Sequence, residues 1–157
     1  MRTRSSRAVG LAGAAALASV LAGGAAQASG HSTRVARTIS LNETGRLHLT
    51  SNHGFTLNEQ GSASGTIRGK IYLHLRISST NHVTAEVNIY LSGGSLTGYA
   101  SANYHVAGAT ASFSGTMSIA RGTGGYRNAR GSGLGFNGTI ARSNDAVTVR
   151  LTGRMSA

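Results

Sequence analysis

The chain has 157 residues, a length for one domain, and it contains neither cysteine nor proline. Disulfide staples, thiolate metal sites, iron–sulfur clusters and cysteine nucleophiles are therefore excluded. Four acids, Glu43, Glu59, Glu86 and Asp145, stand against 15 Lys and Arg, for a net charge of +11. That leaves little material for carboxylate chemistry and biases the chain toward acidic partners.

The first element in chain order is an export signal. Met1 to Arg7 carries Arg2, Arg4 and Arg7 and no acid, and Ala8 to Ala22 is apolar except for Ser19. Small Ala26 and Ala28 then supply an A-x-A cleavage pattern. The apolar run is shorter than the roughly 20 residues that span a bilayer. A signal peptide over residues 1–28 is expected, with cleavage after Ala28 and release from the cell by the general route. No Cys follows the site to take a lipid, and no Arg-Arg pair precedes it. Cleavage removes three Arg and no acid, which leaves +8. The Arg-rich start and Ala/Gly-rich stretch have a bacterial character. Residues 29–37 are polar and basic without a pattern, and read as a flexible lead-in.

From residue 38 to 157 a period of two takes over. Ile39 and Leu41, then Leu47 and Leu49, share a parity, with a break near Asn42 to Gly45. Phe55 and Leu57 make a short run. Longer alternations follow over Ile67 to Ile77, Val83 to Leu91, Leu96 to Val106, Ala109 to Ile119, Leu134 to Ile140 and Val147 to Met155. Each places apolar residues on one face and Ser, Thr, Arg, His or Tyr on the other. The joints, such as Ser92 to Ser95 and Ala107-Gly108, are short enough for antiparallel hairpins and too short for parallel crossovers. With no proline to blunt an edge, closure is the natural solution. About eight strands close well. The fold class is all-β: a single closed antiparallel barrel of about eight strands, preceded by a cleaved signal peptide. In-phase Gly69, Gly98, Gly115, Gly138 and Gly153 suit a small, tightly curved wall.

Between the strands ending at Ile119 and starting near Leu134 lies Arg121-Gly122-Thr123-Gly124-Gly125-Tyr126-Arg127-Asn128-Ala129-Arg130-Gly131. A phosphate-cradling loop is excluded by context, for no Gly-Lys-Ser/Thr ending, parallel strand or long helix accompanies it. The spacing predicts a corner with a short helical turn, in which Tyr126 and Ala129 plug one barrel end.

This segment, with Ser114-Gly115-Thr116-Met117-Ser118-Ile119 before it and Gly133-Leu134-Gly135-Phe136-Asn137-Gly138-Thr139-Ile140 after it, resembles the allene oxide cyclase/dirigent-like barrel superfamily over residues 108–155. Members share a G-G-T-G-x-[FY]-x-x-A-x-G corner, here represented by Gly122, Thr123, Gly124, Gly125, Tyr126, Ala129 and Gly131, with Arg121 where the first glycine usually stands. The resemblance implies an eight-stranded antiparallel barrel with an apolar lumen. It implies trimers formed through strand faces, and an activity that cyclises an unstable epoxide or steers radical coupling. No catalytic residue transfers onto Glu43, Glu59 or Glu86. The lack of Pro and Cys also departs from the plant cyclases.

Four polar residues fall in the apolar phase and are the catalytic candidates: Glu43, Glu59, Tyr104 and Arg142. Glu43 and Glu59 are expected at strand ends, lining a barrel mouth, where an apolar pocket would raise a carboxyl pKa. His31, His48, His53, His74, His82 and His105 form no metal-binding spacing, so neither a metal nor a cofactor is expected. On the polar faces, the stripe Thr110, Ser112, Ser114, Thr116, Ser118 offers a sugar- or crystal-binding surface or simply an exposed strand. Tyr72, Tyr90 and Tyr99, with His74 and His105, offer a subunit interface. Arg121, Arg127 and Arg130 at the corner, and Arg150 and Arg154 on the last strand, are the candidates for acidic polymers. Nucleic acid is disfavoured for an exported chain without an ordered set of stacking aromatics.

Three function classes follow, in order. The first is a secreted, non-enzymatic barrel that binds a small apolar ligand or serves at the cell exterior. The second is a basic envelope or matrix protein that binds acidic polymers. The third is a dirigent-like cyclase or isomerase. The occupancy of the lumen separates them, since a filled barrel leaves no place for a ligand or a reacting substrate inside.

Overall fold

The computed structural model describes residues 37–157. The expected signal peptide, and the lead-in apart from Arg37, lie outside the described residues. Eight strands follow one another: β1 (Thr38–His53), β2 (Thr56–Gly65), β3 (Gly69–Ser79), β4 (His82–Leu91), β5 (Gly94–Ala107), β6 (Thr110–Gly122), β7 (Gly131–Ala141) and β8 (Ala146–Ser156). Every strand pairs antiparallel with the next, and β8 returns to β1 from Thr38↔Ser156 to Leu47↔Val147. The barrel is closed, so every strand has a neighbour on both sides.

The alternation dictates what fills it. Inward positions such as Ile71, Leu73, Leu75, Val83, Val87, Leu134, Leu151 and Met155 are buried almost completely. Phe113 and Phe136 stack inside at 4.9 Å between ring centroids. Apolar side chains face in and polar ones face out, the reverse of a membrane barrel. No helix among the described residues is long and apolar enough to cross a membrane.

Neighbouring strands run up and down, so the turns sort onto two ends. The hairpins β1–β2, β3–β4, β5–β6 and β7–β8 lie at one end, the hairpin end. The other end, the corner end, holds the β2–β3 and β4–β5 turns, the glycine-rich corner after β6, and both ends of the described chain.

The corner takes the expected form. A 3₁₀ turn spans Gly124–Tyr126, and Gly124 has φ 56°, in the left-handed region where a Cβ is strained. The turn is tied to the β4–β5 hairpin, with the Thr123 N–H donating to the Ser95 carbonyl at 2.9 Å and the Gly125 N–H to the Gly93 carbonyl at 2.8 Å. Ala129 is fully buried, and half-buried Tyr126 packs against the core. Tyr126 ends the 3₁₀ turn, and the Ala129 N–H donates to its carbonyl at 2.8 Å, so the two residues, three apart, both reach the core.

One strand differs from the sequence expectation. β1 runs unbroken through Asn42 to Gly45. Gly45 pairs with both Ala63 and Val149, and a Cβ there would come within 2.7 Å of the Val149 side chain. The glycine makes room inside the lumen and does not turn the chain.

Candidate functional site: a basic barrel end

The four apolar-phase candidates separate. Glu43 and Glu59 do face inward, but neither lines a mouth: they are 1% and 2% exposed. Because β1 is continuous, Glu43 lies within it, opposite Gly65 and Leu151. Glu59 stands between Leu49 and Leu73. Leu49 is six residues from Glu43 along β1, a separation of roughly 20 Å in strand rise. The two carboxyls therefore do not form a catalytic pair.

Their surroundings differ in chemistry. The Ile67 backbone N–H donates to Glu43 Oε1 at 2.5 Å, while Oε2 has no partner. Burial raises the Glu43 carboxyl above its ordinary pKa of 4.5, and the Ile67 and Thr66 N–H groups partly offset this. Neither oxygen of Glu59 has a hydrogen-bond partner. Burial, reinforced by the negative charge of Asp145, pushes Glu59 from 4.5 up to about 7. A void by Glu43, lined by Ile67, Val87, Met117 and Leu151, gives the centre of a water-sized sphere only about 10 Å³, room for about one water. The lumen is a packed core.

Tyr104 is half-buried near the hairpin end and packs against the core. Arg142 is not in the lumen. It lies in the exposed β7–β8 turn, where its guanidinium donates to the Gly108 carbonyl at 2.9 Å. The period of β7 ends at Ala141, so counting parity beyond it misplaced this residue. Among the described residues no three His, Asp or Glu side chains converge as metal ligands would.

The outer surface is where charge collects. All eleven Lys and Arg from Arg37 onward are exposed. Two of the four acids are inside the barrel, so Glu86 and Asp145 alone remain to oppose them. Seven of the eleven gather at the corner end: Arg37, Arg68, Lys70, Arg121, Arg127, Arg130 and Arg154. No acid on the outer surface accompanies them there, for Glu86 is in mid-β4 and Asp145 in the β7–β8 turn. The fold joins residues distant in sequence. Arg130 bridges to Ser156, whose neighbour Ala157 exchanges backbone hydrogen bonds with Arg37.

Of the sequence candidates, Arg121, Arg127, Arg130 and Arg154 belong to this end. Arg150 does not: it sits in mid-β8 opposite Thr44 and donates to Asn42 Oδ1 at 3.1 Å. Arg37, Arg68 and Lys70 escaped the sequence reading because only the fold brings them to the same barrel end as the corner. The Ser/Thr stripe on β6 is exposed, with Ser114 donating to Asn137 Oδ1 at 2.6 Å.

The tyrosines on the outer face also gather. Asn88 pairs with Tyr72 and Thr97, and Glu86 pairs with His74 and Tyr99, so β3, β4 and β5 bring Tyr72, Tyr90 and Tyr99 into one patch. His105, six residues beyond Tyr99 on β5, lies outside it.

No protein-family model, curated protein or solved structure matches the chain.

Proposed function

We propose that this protein is an exported, non-enzymatic β-barrel that binds acidic polymers of the cell exterior through its corner end. The observation that supports this reading most is the segregation of charge: seven exposed cations and no exposed acid share that end, while two of the chain's few acids are buried in the lumen. Cations within a Debye length of one another add their fields, and a flexible polyanion can engage several at once by displacing its counterions. The guanidinium hydrogen bonds of Arg130, Arg142 and Arg150 go to neutral oxygens, so these charges stay available to an anion. The packed lumen argues against a small apolar ligand or a cyclase substrate held inside.

The test is binding to polyphosphate or heparin over a salt series. Binding should weaken steeply with salt. Arg127→Glu combined with Arg130→Glu should weaken it at least tenfold, and Arg76→Glu combined with Arg142→Glu, at the hairpin end, should weaken it far less. Equal losses from both pairs would reduce the interaction to net charge and overturn a defined binding end. Binding that survives about 1 M salt would point to a specific site of another kind.

A further inference from the structure

The tyrosine patch on β3, β4 and β5 is chemically unlike the basic end, and we infer that it is a carbohydrate-binding face for a neutral glycan chain. Its centre is polar and prearranged. Asn88 Nδ2 donates to Glu86 Oε1 at 2.9 Å, and the Thr97 hydroxyl donates to Asn88 Oδ1 at 2.7 Å. Asn88 is thereby held in one orientation, with its amide between a carboxylate and a hydroxyl. Glu86 Oε2 accepts no protein hydrogen bond among the described residues, so it can take a ligand O–H. Around this centre stand the aromatic rings. Tyr90 is 54% and Tyr99 57% exposed, and Tyr72 meets Tyr90 edge-on at 5.4 Å, which fixes the direction of both rings. Register places Tyr90 and Tyr99 about 14 Å apart across the face, with Glu86 directly opposite Tyr99 and Asn88 at the level between the two rings.

A pyranose offers what this pattern takes: an apolar C–H face for a tyrosine ring and a rim of hydroxyls for a fixed amide and a carboxylate. Prearranged polar groups lower the ordering cost of such binding. Lys70, paired with Tyr90, and Arg121, paired with Thr97, flank the patch, and the Glu86 carboxylate lies within it beside Tyr99. A polyanion would be held by those flanking cations and repelled by Glu86 within the patch itself. A second copy of this chain, docked face to face, would desolvate two Glu86 carboxylates at once. A neutral polyhydroxyl chain meets neither penalty.

The experiment is a titration of the full chain with maltohexaose, cellohexaose and chitohexaose in about 0.5 M salt, where interactions at the basic end are screened. It is followed by amide NMR shifts and by tyrosine emission, which no tryptophan obscures. The expected result is saturable binding of at least one hexasaccharide, with shifts centred on residues 86–99. Tyr99→Ala and Asn88→Ala should each weaken it about tenfold or more, whereas Tyr99→Phe should retain most of it. Melting curves of the variants check that the barrel stays folded, which exposed Tyr99 allows. Three outcomes overturn the inference: no binding of any of the three sugars, binding that Tyr99→Ala leaves unchanged, or a concentration-dependent dimer that Tyr99→Ala dissolves. The last would assign the patch to self-association. None of them bears on the basic end, which is tested with polyanions and different variants.

Discussion

Glu43 and Ile67 are joined by a 2.5 Å hydrogen bond from the Ile67 N–H to the Glu43 carboxyl, which fastens the β2–β3 turn to the lumen wall at the corner end. Ile67 is 7% exposed, so its N–H has no access to water and depends on this acceptor. Glu59 makes no such bond. Two carboxyls of the same lumen thus have opposite structural value.

Replacing each by an apolar residue of similar size should expose that difference. Glu59→Met should raise the melting temperature at pH 8, because it removes a buried charge that nothing pairs. Glu43→Met should gain less or lose stability, since it strands a buried N–H at a cost of about 1–3 kcal/mol. Thermal melts of both variants at one pH decide the point. A larger gain for Glu43→Met would show that the Ile67 bond does not hold the turn.

The raised carboxyl of Glu59 predicts a barrel more stable in mild acid than in mild base. Its carboxyl is raised from 4.5 to about 7, so the folded state holds a proton that the unfolded state releases above 4.5. Stability from this group is full below 4.5 and falls as pH rises through about 7, by about 3 kcal/mol. Glu43, shifted in the same direction, adds to the trend. The side chains flanking Glu59 from β1 and β3, Leu49 and Leu73, are apolar, and the charged group acting on it is Asp145. Denaturant unfolding at pH 5 and pH 8 should show the fall, and Glu59→Gln should flatten it. A pH profile that this variant leaves unaltered would assign the dependence to other groups.

The corner predicts a sharp contrast between neighbours. Tyr126→Ala removes a half-buried ring from the plug and should cost about 2 kcal/mol. Gly124→Ala places a Cβ at φ 56° and 2.1 Å from the Gly93 carbonyl oxygen, and should cost at least as much. Exposed Arg127→Ala should barely move the melt. If Tyr126→Ala and Arg127→Ala gave equal, small shifts, the motif would not be a plug.

Across the barrel, Gly138 and Phe113 are register partners on β7 and β6. A Cβ at 138 would fall 2.3 Å from the Phe113 ring and 2.4 Å from the Thr148 carbonyl oxygen. Gly138→Val should therefore destabilise by about 3 kcal/mol or more. Phe113→Leu should lessen that penalty in the double variant, while costing stability by itself through the lost stacking on Phe136. Additive losses would show that the Thr148 backbone, and not the ring, sets the limit.

What the sequence determined by itself is local. Alternation at a period of two placed Leu73, Val87 and Phe136 inside and Thr116, Arg150 and Arg154 outside. It also assigned Glu43 and Glu59 to the inner face, because side-chain direction in a strand depends only on the neighbouring residues. The absence of proline and the short joints pointed to closure, and the glycine spacing located the corner turn. Tertiary structure decided everything that depends on register and on continuity. It ran β1 straight through Gly45 and so carried Glu43 from an expected mouth into the core. It ended β7 before Arg142 and put that side chain in solvent. It brought Arg37, Arg68 and Lys70 to the same barrel end as Arg127, Arg130 and Arg154, and it set Tyr72, Tyr90 and Tyr99 near Asn88. Those groupings depend on which strand lies beside which and at what offset. A periodic pattern cannot carry that information, since a shift of two residues in any strand keeps every side chain on its own face while giving it new neighbours.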